Sequence, residues 1–274
     1  MRAAVLGSPI GHSLSPVLHR AAYDALGLAW TYDAIEVLPA DLASFVGSLD
    51  ATWAGLSLTM PLKQTVLPLL DSASDLVAGT GAANTVLLRG GKRLGENTDV
   101  AGIVEALREA GVSSVTRSVV LGGGATAASA LAALQQLGDP APTVLVRSAL
   151  RAGPLLAAAA RLGVQPLLGP LTAGGLTLAL AEPVTVVIST APAGALDALA
   201  AELTLPDEVP TLLDVVYAPW PTVLGSAYAR AGGTVVGGAA MLLHQAAAQV
   251  QLMTGRMAPL EAMRAALDEA SSRT

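Results

Sequence analysis

A lysine and an aspartate occupy positions from which they could move and orient a proton. Lys63 ends the segment GLSLTMPLK, which begins at Gly55. If Pro61 is the first residue of a helix, Lys63 lies in its first turn, where the helix dipole and partial burial both disfavour a charged amine. Such a lysine suits proton exchange near neutral pH, although a solvated surface lysine would give the same pattern. Asp99 ends the segment GENTD, and its position alone does not separate a catalytic carboxylate from a helix N-cap.

A loop rich in hydroxyl groups precedes the first predicted helix. It reads GSPIGHSLSP from Gly7 and contains Ser13 and Ser15. Ser15 fits the N-cap of a helix whose first residue is Pro16, whereas Ser13 has no such structural role. Two hydroxyl groups at a helix N-terminus can also bind a carboxylate, so capping and anion binding can be combined in this loop.

A glycine-rich turn indicates a nucleotide site in the second third of the chain. Gly122–Ala127 reads GGGATA, matches the G-x-G-x-x-A pattern and stands between a predicted strand and a predicted helix. Backbone without side chains can approach a pyrophosphate closely, and the helix N-terminus offers it N–H donors. A plain strand-to-helix turn would have the same composition, so the end of the next strand bears on the choice.

That next strand end favours a nucleotide with an extra phosphate. An NAD-binding domain usually has Asp or Glu about 20 residues after the glycines, but this chain has Arg147 and Ser148 there, with Arg151 one turn later. A guanidinium group can donate two hydrogen bonds to a 2′-phosphate, which favours NADP over NAD. The alternative is that both arginines are ordinary solvent-facing helix residues.

Strands and helices alternate along the chain, a pattern typical of α/β units around mostly parallel sheets. Strands are predicted at 3–6, 31–35, 53–58, 84–88, 118–121, 143–146, 184–189, 212–216 and 234–236. Helices are predicted at 16–26, 40–49, 61–70, 100–110, 125–137, 239–253 and 259–270. Gly90-Gly91 is typical of a hairpin turn. A new βαβ pattern starts at Ser118, which places domain boundaries near residues 101 and 237.

The composition indicates a folded protein that acts on a small molecule. The 274 residues are 53% hydrophobic, enough for more than one core, and a net charge of −6 with 3% aromatic residues argues against nucleic-acid binding. The absence of cysteine excludes disulfides and thiolate chemistry, and the three histidines lack metal-binding spacing. Prolines, glycines or glutamines interrupt each long uncharged stretch, and the N-terminus has no signal-peptide pattern. We therefore expect a cytoplasmic protein with no metal and no membrane or nucleic-acid partner.

Taken together, the motifs resemble the shikimate dehydrogenase family over essentially the whole chain. The matching segments are GSPIGHSLSP, GLSLTMPLK, GAANTV, GENTD, LGGGATA, VRSALR, STAPAG, DVVYAPWPT and GGAAMLLHQA. The resemblance implies an α/β substrate-binding domain, residues 1–101 plus 238–274, and an inserted Rossmann-type, doubly wound NADP-binding domain, residues 102–237. It also implies the reversible, NADP-dependent reduction of 3-dehydroshikimate to shikimate, in the pathway to chorismate and the aromatic amino acids. The oligomeric state stays open, with a homodimer as one alternative.

The resemblance further assigns roles to individual residues. Lys63 and Asp99 would face the reacting oxygen. The substrate carboxylate would be held by Ser13, Ser15 and Tyr217, and the ring hydroxyls would be bound by Thr59, Asn84 and Gln245. The cofactor would be contacted by Gly122, Gly124, Arg147, Ser148, Arg151, Thr190 and Gly238.

Two positions depart from the family pattern. Ser57 stands where the family commonly has Asn in its G-x-N-x-T segment, and the lost amide donor puts one hydroxyl contact in doubt. Ala125 stands where the family usually has Gly, which would shift the pyrophosphate slightly.

Three other functions fit parts of the pattern. A quinate-using or dual-substrate dehydrogenase often prefers NAD, and the missing acid near Arg147 argues against it. A non-catalytic relative that only binds metabolites and nucleotides would not need Lys63 and Asp99. A folate-type dehydrogenase would leave the paired serines and Gln245 unexplained.

Overall fold

The computed structural model describes residues 1–272. Its strands are β1 (Arg2–Gly7), β2 (Thr31–Glu36), β3 (Trp53–Leu58), β4 (Ser72–Ala73), β5 (Thr85–Arg89), β6 (Lys92–Glu96), β7 (Ser118–Leu121), β8 (Thr143–Val146), β9 (Leu167–Pro170), β10 (Val186–Ser189), β11 (Thr211–Asp214) and β12 (Val235–Gly237). Its α-helices are α1 (Ser15–Ala25), α2 (Leu42–Gly47), α3 (Leu62–Thr65), α4 (Asp75–Thr80), α5 (Asp99–Glu109), α6 (Ala125–Leu137), α7 (Gly153–Leu162), α8 (Ala173–Ala179), α9 (Asp197–Glu202), α10 (Val223–Arg230), α11 (Gly238–Thr254) and α12 (Leu260–Ser271).

The chain divides into two compact units, each with its own sheet. Unit 1 is Met1–Gly102 together with the segment from Leu242 onward, and unit 2 is Ile103–Met241. The predicted two-domain α/β fold class is confirmed. That the units act as separate substrate and nucleotide domains stays a prediction.

The sheet of unit 1 is mixed, with strand order β2-β1-β3-β5-β6-β4. β1 pairs in parallel with β2 and β3, whereas β5 is antiparallel to both β3 and β6. Gly90 and Gly91, both with positive φ, form the predicted hairpin turn between β5 and β6. As a result, the carboxyl ends of β1, β3 and β6 and the start of β5 meet at one edge of the sheet.

Helix α11 packs on the face of this sheet opposite an apolar cluster that contains Leu6, Leu56 and Leu62. Leu56 and Leu58 of β3 belong to that cluster, so the alternation of a strand points Gly55 and Ser57 to the other face. A β-carbon at Gly55 would lie 3.0 Å from Cε of Met253 in α11. Glycine at this position therefore lets the helix approach the strand closely.

The sheet of unit 2 is entirely parallel, with strand order β12-β11-β10-β7-β8-β9. The chain builds outward from β7 in one direction and then returns to build in the other from β10. This doubly wound arrangement places a topological switch point between β7 and β10, where such sheets bind ligands beyond the carboxyl ends of their strands.

The predicted helix 61–70 is wrong in extent. The chain forms the single turn α3 and then a 3-10 turn at Leu67–Leu69. Pro68 accounts for the break, because a proline lacks the N–H that an α-helix needs and its ring collides with the preceding turn.

Candidate active site

Backbone hydrogen bonds hold the loops of unit 1 together at the shared sheet edge. The Thr59 N–H donates to the Leu6 carbonyl at 2.9 Å, and the Ser8 N–H donates to the Met60 carbonyl at 3.1 Å, which joins the loops after β1 and β3. The Ala83 N–H donates to the Lys63 carbonyl at 2.8 Å, which joins the start of β5 to α3. The loops that carry the predicted substrate residues of this unit therefore lie side by side.

Lys63, Asp99 and Asn84 form one polar cluster at this edge. The Lys63 ammonium donates to Oδ2 of Asp99 at 2.5 Å, and Nδ2 of Asn84 donates to Oδ1 of Asp99 at 2.8 Å. The Asp99 side chain is 1% exposed, whereas that of Lys63 is 14% exposed. A carboxylate buried this deeply requires such partners, and the remaining exposure of Lys63 lets its ammonium reach a bound molecule.

The structure removes the helix-dipole argument for Lys63. Pro61 is not helical, and α3 begins at Leu62 and has only four residues, so Lys63 lies in the first and the last turn of the helix at once. The ion pair with Asp99, rather than a helix terminus, dominates the surroundings of the amine.

The N-cap interpretation of Asp99 is wrong as well. Helix α5 begins at Asp99 itself, and both of its carboxylate oxygens are directed to Lys63 and Asn84. Oδ1 of Asn97 accepts from the Asp99 N–H at 3.1 Å, while its own amide donates to the Ala82 carbonyl at 3.0 Å. Asn97 thus fixes the backbone at the point where Asp99 enters the cluster.

Asn84 connects three parts of unit 1. Its Oδ1 accepts from the Thr98 N–H at 2.8 Å, and its Nδ2 lies 3.0 Å from Oε1 of Gln245 in α11. Gln245, from the far end of the sequence, therefore joins the Lys63 cluster. Thr59 is half-buried in the neighbouring loop after β3.

The two predicted serines lie at the end of the loop after β1, but neither is the N-cap of helix α1. Helix α1 begins at Ser15 with Leu14 as N-cap, so Ser15 is not the cap and Pro16 is not its first residue. Instead, Oγ of Ser13 accepts a hydrogen bond from the Ser15 N–H at 3.3 Å. The Ser15 hydroxyl is thereby free of the capping role that the sequence suggested.

In unit 2, the glycine-rich turn joins β7 to α6 as predicted. Gly124 is the N-cap of α6, and no side chain caps the helix, so its first N–H groups face outward. Gly122 has φ +119, and a β-carbon there would collide with Oγ1 of Thr190. A β-carbon at Gly124 would meet no atom within 4 Å. The turn therefore forms an open backbone cradle at the β7–β10 switch point, which fits a pyrophosphate.

Arg147, Ser148 and Arg151 follow β8, beside this turn. Arg147 and Arg151 are exposed, and their side chains form no ion pair or hydrogen bond with residues 1–272. Arg147 lies in the loop after β8 and Arg151 in the 3-10 helix Ala149–Arg151, so neither belongs to an α-helix, although both face solvent as the alternative interpretation expects. Two unpaired guanidinium groups next to an anion cradle fit a phosphate-bearing ligand.

Tyr217 and Gly238 lie near the carboxyl ends of β11 and β12. Oδ2 of Asp214 accepts from the Thr222 hydroxyl at 2.8 Å, and its Oδ1 accepts from the Val216 N–H at 3.3 Å, which shapes the loop that carries Tyr217. Burial raises the pKa of Asp214. A β-carbon at Gly238 would collide with the Val215 backbone, so glycine is required there.

Ser57 does not take the place of a substrate-binding amide. It is buried, accepts from the Tyr32 hydroxyl at 2.6 Å and donates to Oε1 of Gln249 at 2.9 Å. The expectation that Ser57 affects a hydroxyl contact of the substrate is therefore not supported by its position. Sequence reasoning missed Gln249, although its spacing four residues after Gln245 places both on one helix face.

No group of three or more metal-binding side chains occurs among the described residues. Over the same part of the chain, no helix has the length and apolar character needed to cross a bilayer.

Comparison with known proteins extends the sequence resemblance. Residues 5–86 match the family model of the shikimate dehydrogenase substrate binding domain, and residues 238–267 match that of the shikimate 5′-dehydrogenase C-terminal domain. The chain is 38% identical to the shikimate dehydrogenase (NADP(+)) of Halobacterium salinarum, over 96% of this chain and 97% of the relative. The chain belongs to the shikimate dehydrogenase family.

Solved structures of shikimate dehydrogenases have the same fold. The Mycobacterium tuberculosis enzyme is 41% identical with a TM-score of 0.89, and the match covers 98% of this chain and 99% of that one. The Thermus thermophilus enzyme, in complex with NADP(H) and shikimate, is 31% identical with a TM-score of 0.85 and coverages of 98% and 99%. These matches confirm the family and fold predicted from the motifs.

Proposed function

We propose that this chain is an NADP-dependent shikimate dehydrogenase that interconverts 3-dehydroshikimate and shikimate. The observation that carries the proposal is the ion pair of Lys63 with the buried Asp99. Family membership supplies the substrate class, and the Halobacterium and Thermus relatives are described with NADP.

Reduction of a ketone requires a proton for the oxygen that becomes an alcohol. Lys63 is the group we assign to this step, because an ammonium has three N–H donors and Asp99 occupies one of them. The remaining donors stabilise the developing negative charge on the oxygen, and one of them transfers its proton. In the reverse direction, Lys63 accepts the proton of the substrate hydroxyl.

Asp99 orients Lys63 and accepts a hydrogen bond from a substrate hydroxyl in our proposal. Asn84, which donates to Asp99, and Gln245, which lies against Asn84, bind ring hydroxyls together with Thr59. Ser13 and Ser15 hold the substrate carboxylate. The roles predicted for Tyr217, Thr190 and Gly238 stay predictions.

NADPH, when bound, supplies the hydride that the ketone carbon accepts. The residues of unit 2 fit this cofactor: we assign the pyrophosphate to the open backbone at Gly122 and Gly124, and the 2′-phosphate to Arg147, Ser148 and Arg151. The cradle and the two guanidinium groups, which have no partner among residues 1–272, support the assignment.

An absorbance assay at the NADPH band tests the proposal. The purified chain is assayed with 3-dehydroshikimate, shikimate and quinate, each with NADP(H) and NAD(H). We expect turnover of the shikimate pair with NADP(H). Faster turnover of quinate with NAD would support the quinate alternative, and no turnover with any pair would support a non-catalytic relative. A homodimer and a cytoplasmic location stay predictions.

A further inference from the structure

A line of hydrogen-bonded side chains leads from the proposed reacting centre into the core of unit 1. It contains Tyr32, Ser57, Gln249, Thr85, Asn84 and Asp99, contributed by three strands and two helices. Each of these residues is at most 3% exposed. A buried polar side chain that lacks a hydrogen-bond partner lowers stability. These six side chains supply partners to one another, so their presence in the core depends on the whole set.

The inner end of the line has a fixed hydrogen-bond direction. The Tyr32 hydroxyl donates to Ser57 Oγ at 2.6 Å, and the Ser57 hydroxyl donates to Oε1 of Gln249 at 2.9 Å. Burial raises the pKa of Tyr32, with a smaller opposing effect from its hydrogen bond to Ser57. Tyr32 therefore stays protonated and a donor at neutral pH, and the Gln249 carbonyl stays directed to Ser57.

The orientation of Gln249 sets that of the next group. Its Nε2 donates to Oγ1 of Thr85 at 3.0 Å and lies 3.5 Å from the backbone carbonyl of Asn84, which can only accept. With that acceptor position filled, the Thr85 hydroxyl donates to Oδ1 of Asn84 at 2.9 Å.

Asn84 is thereby held in the orientation that Asp99 needs. Its Oδ1 faces two donors, the Thr85 hydroxyl and the Thr98 N–H at 2.8 Å. A flipped amide would direct N–H groups at those donors and would leave Oδ1 of Asp99 facing a carbonyl oxygen. The line thus favours the one amide orientation in which Asn84 donates to Asp99.

We propose that Gln249 is a positioning residue for the Lys63–Asp99 pair, acting through Thr85 and Asn84. The inference rests on the proposed dehydrogenase function. We assign Gln249 no contact with substrate or cofactor. It keeps the Asp99 carboxylate in the geometry that directs the Lys63 ammonium to the reacting oxygen.

The test measures steady-state shikimate oxidation by the 274-residue chain carrying Gln249→Met or Thr85→Val, both close in size to the original residue. We expect kcat to fall about 3- to 10-fold in each, the effect of losing one buried hydrogen bond, with an unchanged KM for NADP+. The matched control is Gln251→Met, because Gln251 is exposed on the same helix α11. This control should retain wild-type kcat.

Making the same change in wild-type and in Asp99→Asn protein distinguishes a positioning role of Gln249 from a purely structural one. In Asp99→Asn protein, Gln249→Met should lower the residual kcat less than about twofold, because the line acts through Asp99. An equal fall in both backgrounds, or unchanged kcat in both Gln249→Met and Thr85→Val, would overturn the inference. If Gln249→Met does not fold, the same comparison is made with Thr85→Val in wild-type and Asp99→Asn protein, and its result decides the inference. An inactive wild type contradicts the proposed function and this inference with it, whereas an active wild type with unaffected variants contradicts this inference only.

Discussion

The ammonium of Lys63 lies 2.5 Å from one oxygen of Asp99, whose other oxygen accepts from Asn84 at 2.8 Å. One side of the carboxylate is thus used to orient the lysine, and the other to fix the carboxylate itself. Because Asp99 is almost completely buried, its charge makes it unfavourable for Lys63 to leave. Two N–H donors of Lys63 are left for a substrate oxygen.

Replacing Lys63 with methionine should remove the proton donor while keeping most of the side-chain volume. We expect kcat for shikimate oxidation to fall about 10²- to 10⁴-fold, the usual contribution of general acid–base catalysis. The Kd for NADPH, measured by fluorescence titration, should change little. Lys92→Met is the matched control, since Lys92 is exposed in the β5–β6 hairpin. Wild-type turnover in the Lys63 variant would refute the assignment.

Replacing Arg147 with aspartate should reverse the cofactor preference. The carboxylate would repel a 2′-phosphate but could accept a hydrogen bond from a ribose 2′-hydroxyl. We expect KM for NADPH to rise about 10- to 100-fold, the loss of one charge-assisted hydrogen bond of about 1.5–3 kcal/mol, and KM for NADH to fall or stay the same. Arg230→Asp, at the exposed end of α10, is the control. An unchanged ratio of the two KM values would contradict the assignment of Arg147 to the 2′-phosphate.

Much of the fold follows from local sequence patterns. β3, β7, β8 and α6 have the predicted bounds, because each is a continuous apolar or alanine-rich run ended by glycine, proline or polar residues. Short elements such as α4 and α8 were not predicted. Each has fewer than eight residues, so an amphipathic period hardly repeats, and packing against the sheet rather than propensity determines them.

The sequence predicts which residues form the candidate site better than it predicts what each side chain does there. Ser15 and Asp99 both stand before a helical pattern, which is typical of N-caps, whereas in the structure each is the first helical residue. A shift of one residue at a helix start is ordinary, but it decides whether a side chain caps the helix or faces a ligand. Gln249 escaped prediction because its partners, Ser57 and Thr85, lie 192 and 164 residues away in sequence.

Two glycines of the nucleotide turn should separate a structural role from a binding role. Gly122→Ala should lower the free energy of unfolding by about 1–3 kcal/mol, because alanine is strained at φ +119 and its β-carbon would collide with Thr190. Gly124→Ala should leave that free energy nearly unchanged, since its φ of −88 suits any residue and no atom lies within 4 Å of the added carbon. It should instead weaken NADPH binding, because the methyl group would occupy the proposed pyrophosphate cradle.

Urea unfolding and fluorescence titration of both variants check this pair. Each glycine variant is the control for the other, since the two changes add the same methyl group two residues apart. An unaltered Kd for NADPH in Gly124→Ala would argue against a pyrophosphate at this turn. If both changes lower the free energy of unfolding equally, the turn needs both glycines for folding, and the separate binding role of Gly124 is contradicted.

His19 should make the stability of unit 1 decrease at acidic pH. Its ring is fully buried and stacks on Tyr32 at a centroid distance of 3.8 Å, with Nδ1 2.9 Å from the Ser15 carbonyl. Burial lowers the pKa of His19 from 6.5 to about 4, against a smaller opposing effect of that hydrogen bond. The unfolded chain therefore binds a proton between pH 6.5 and 4 that the folded chain excludes, so stability falls as the pH decreases through this window.

The His19→Gln variant should lose this part of the pH dependence. With the two pKa values above, protonation of the unfolded chain costs the wild type about 2 kcal/mol between pH 7 and pH 5. Urea unfolding at both values should therefore show a smaller decrease in unfolding free energy for His19→Gln by about that amount, whatever its stability at pH 7. His12→Gln, at an exposed position, should retain the wild-type decrease. An equal decrease in wild type and His19→Gln would mean that His19 is protonated in the folded protein, and that its stacking on Tyr32 survives a charged ring.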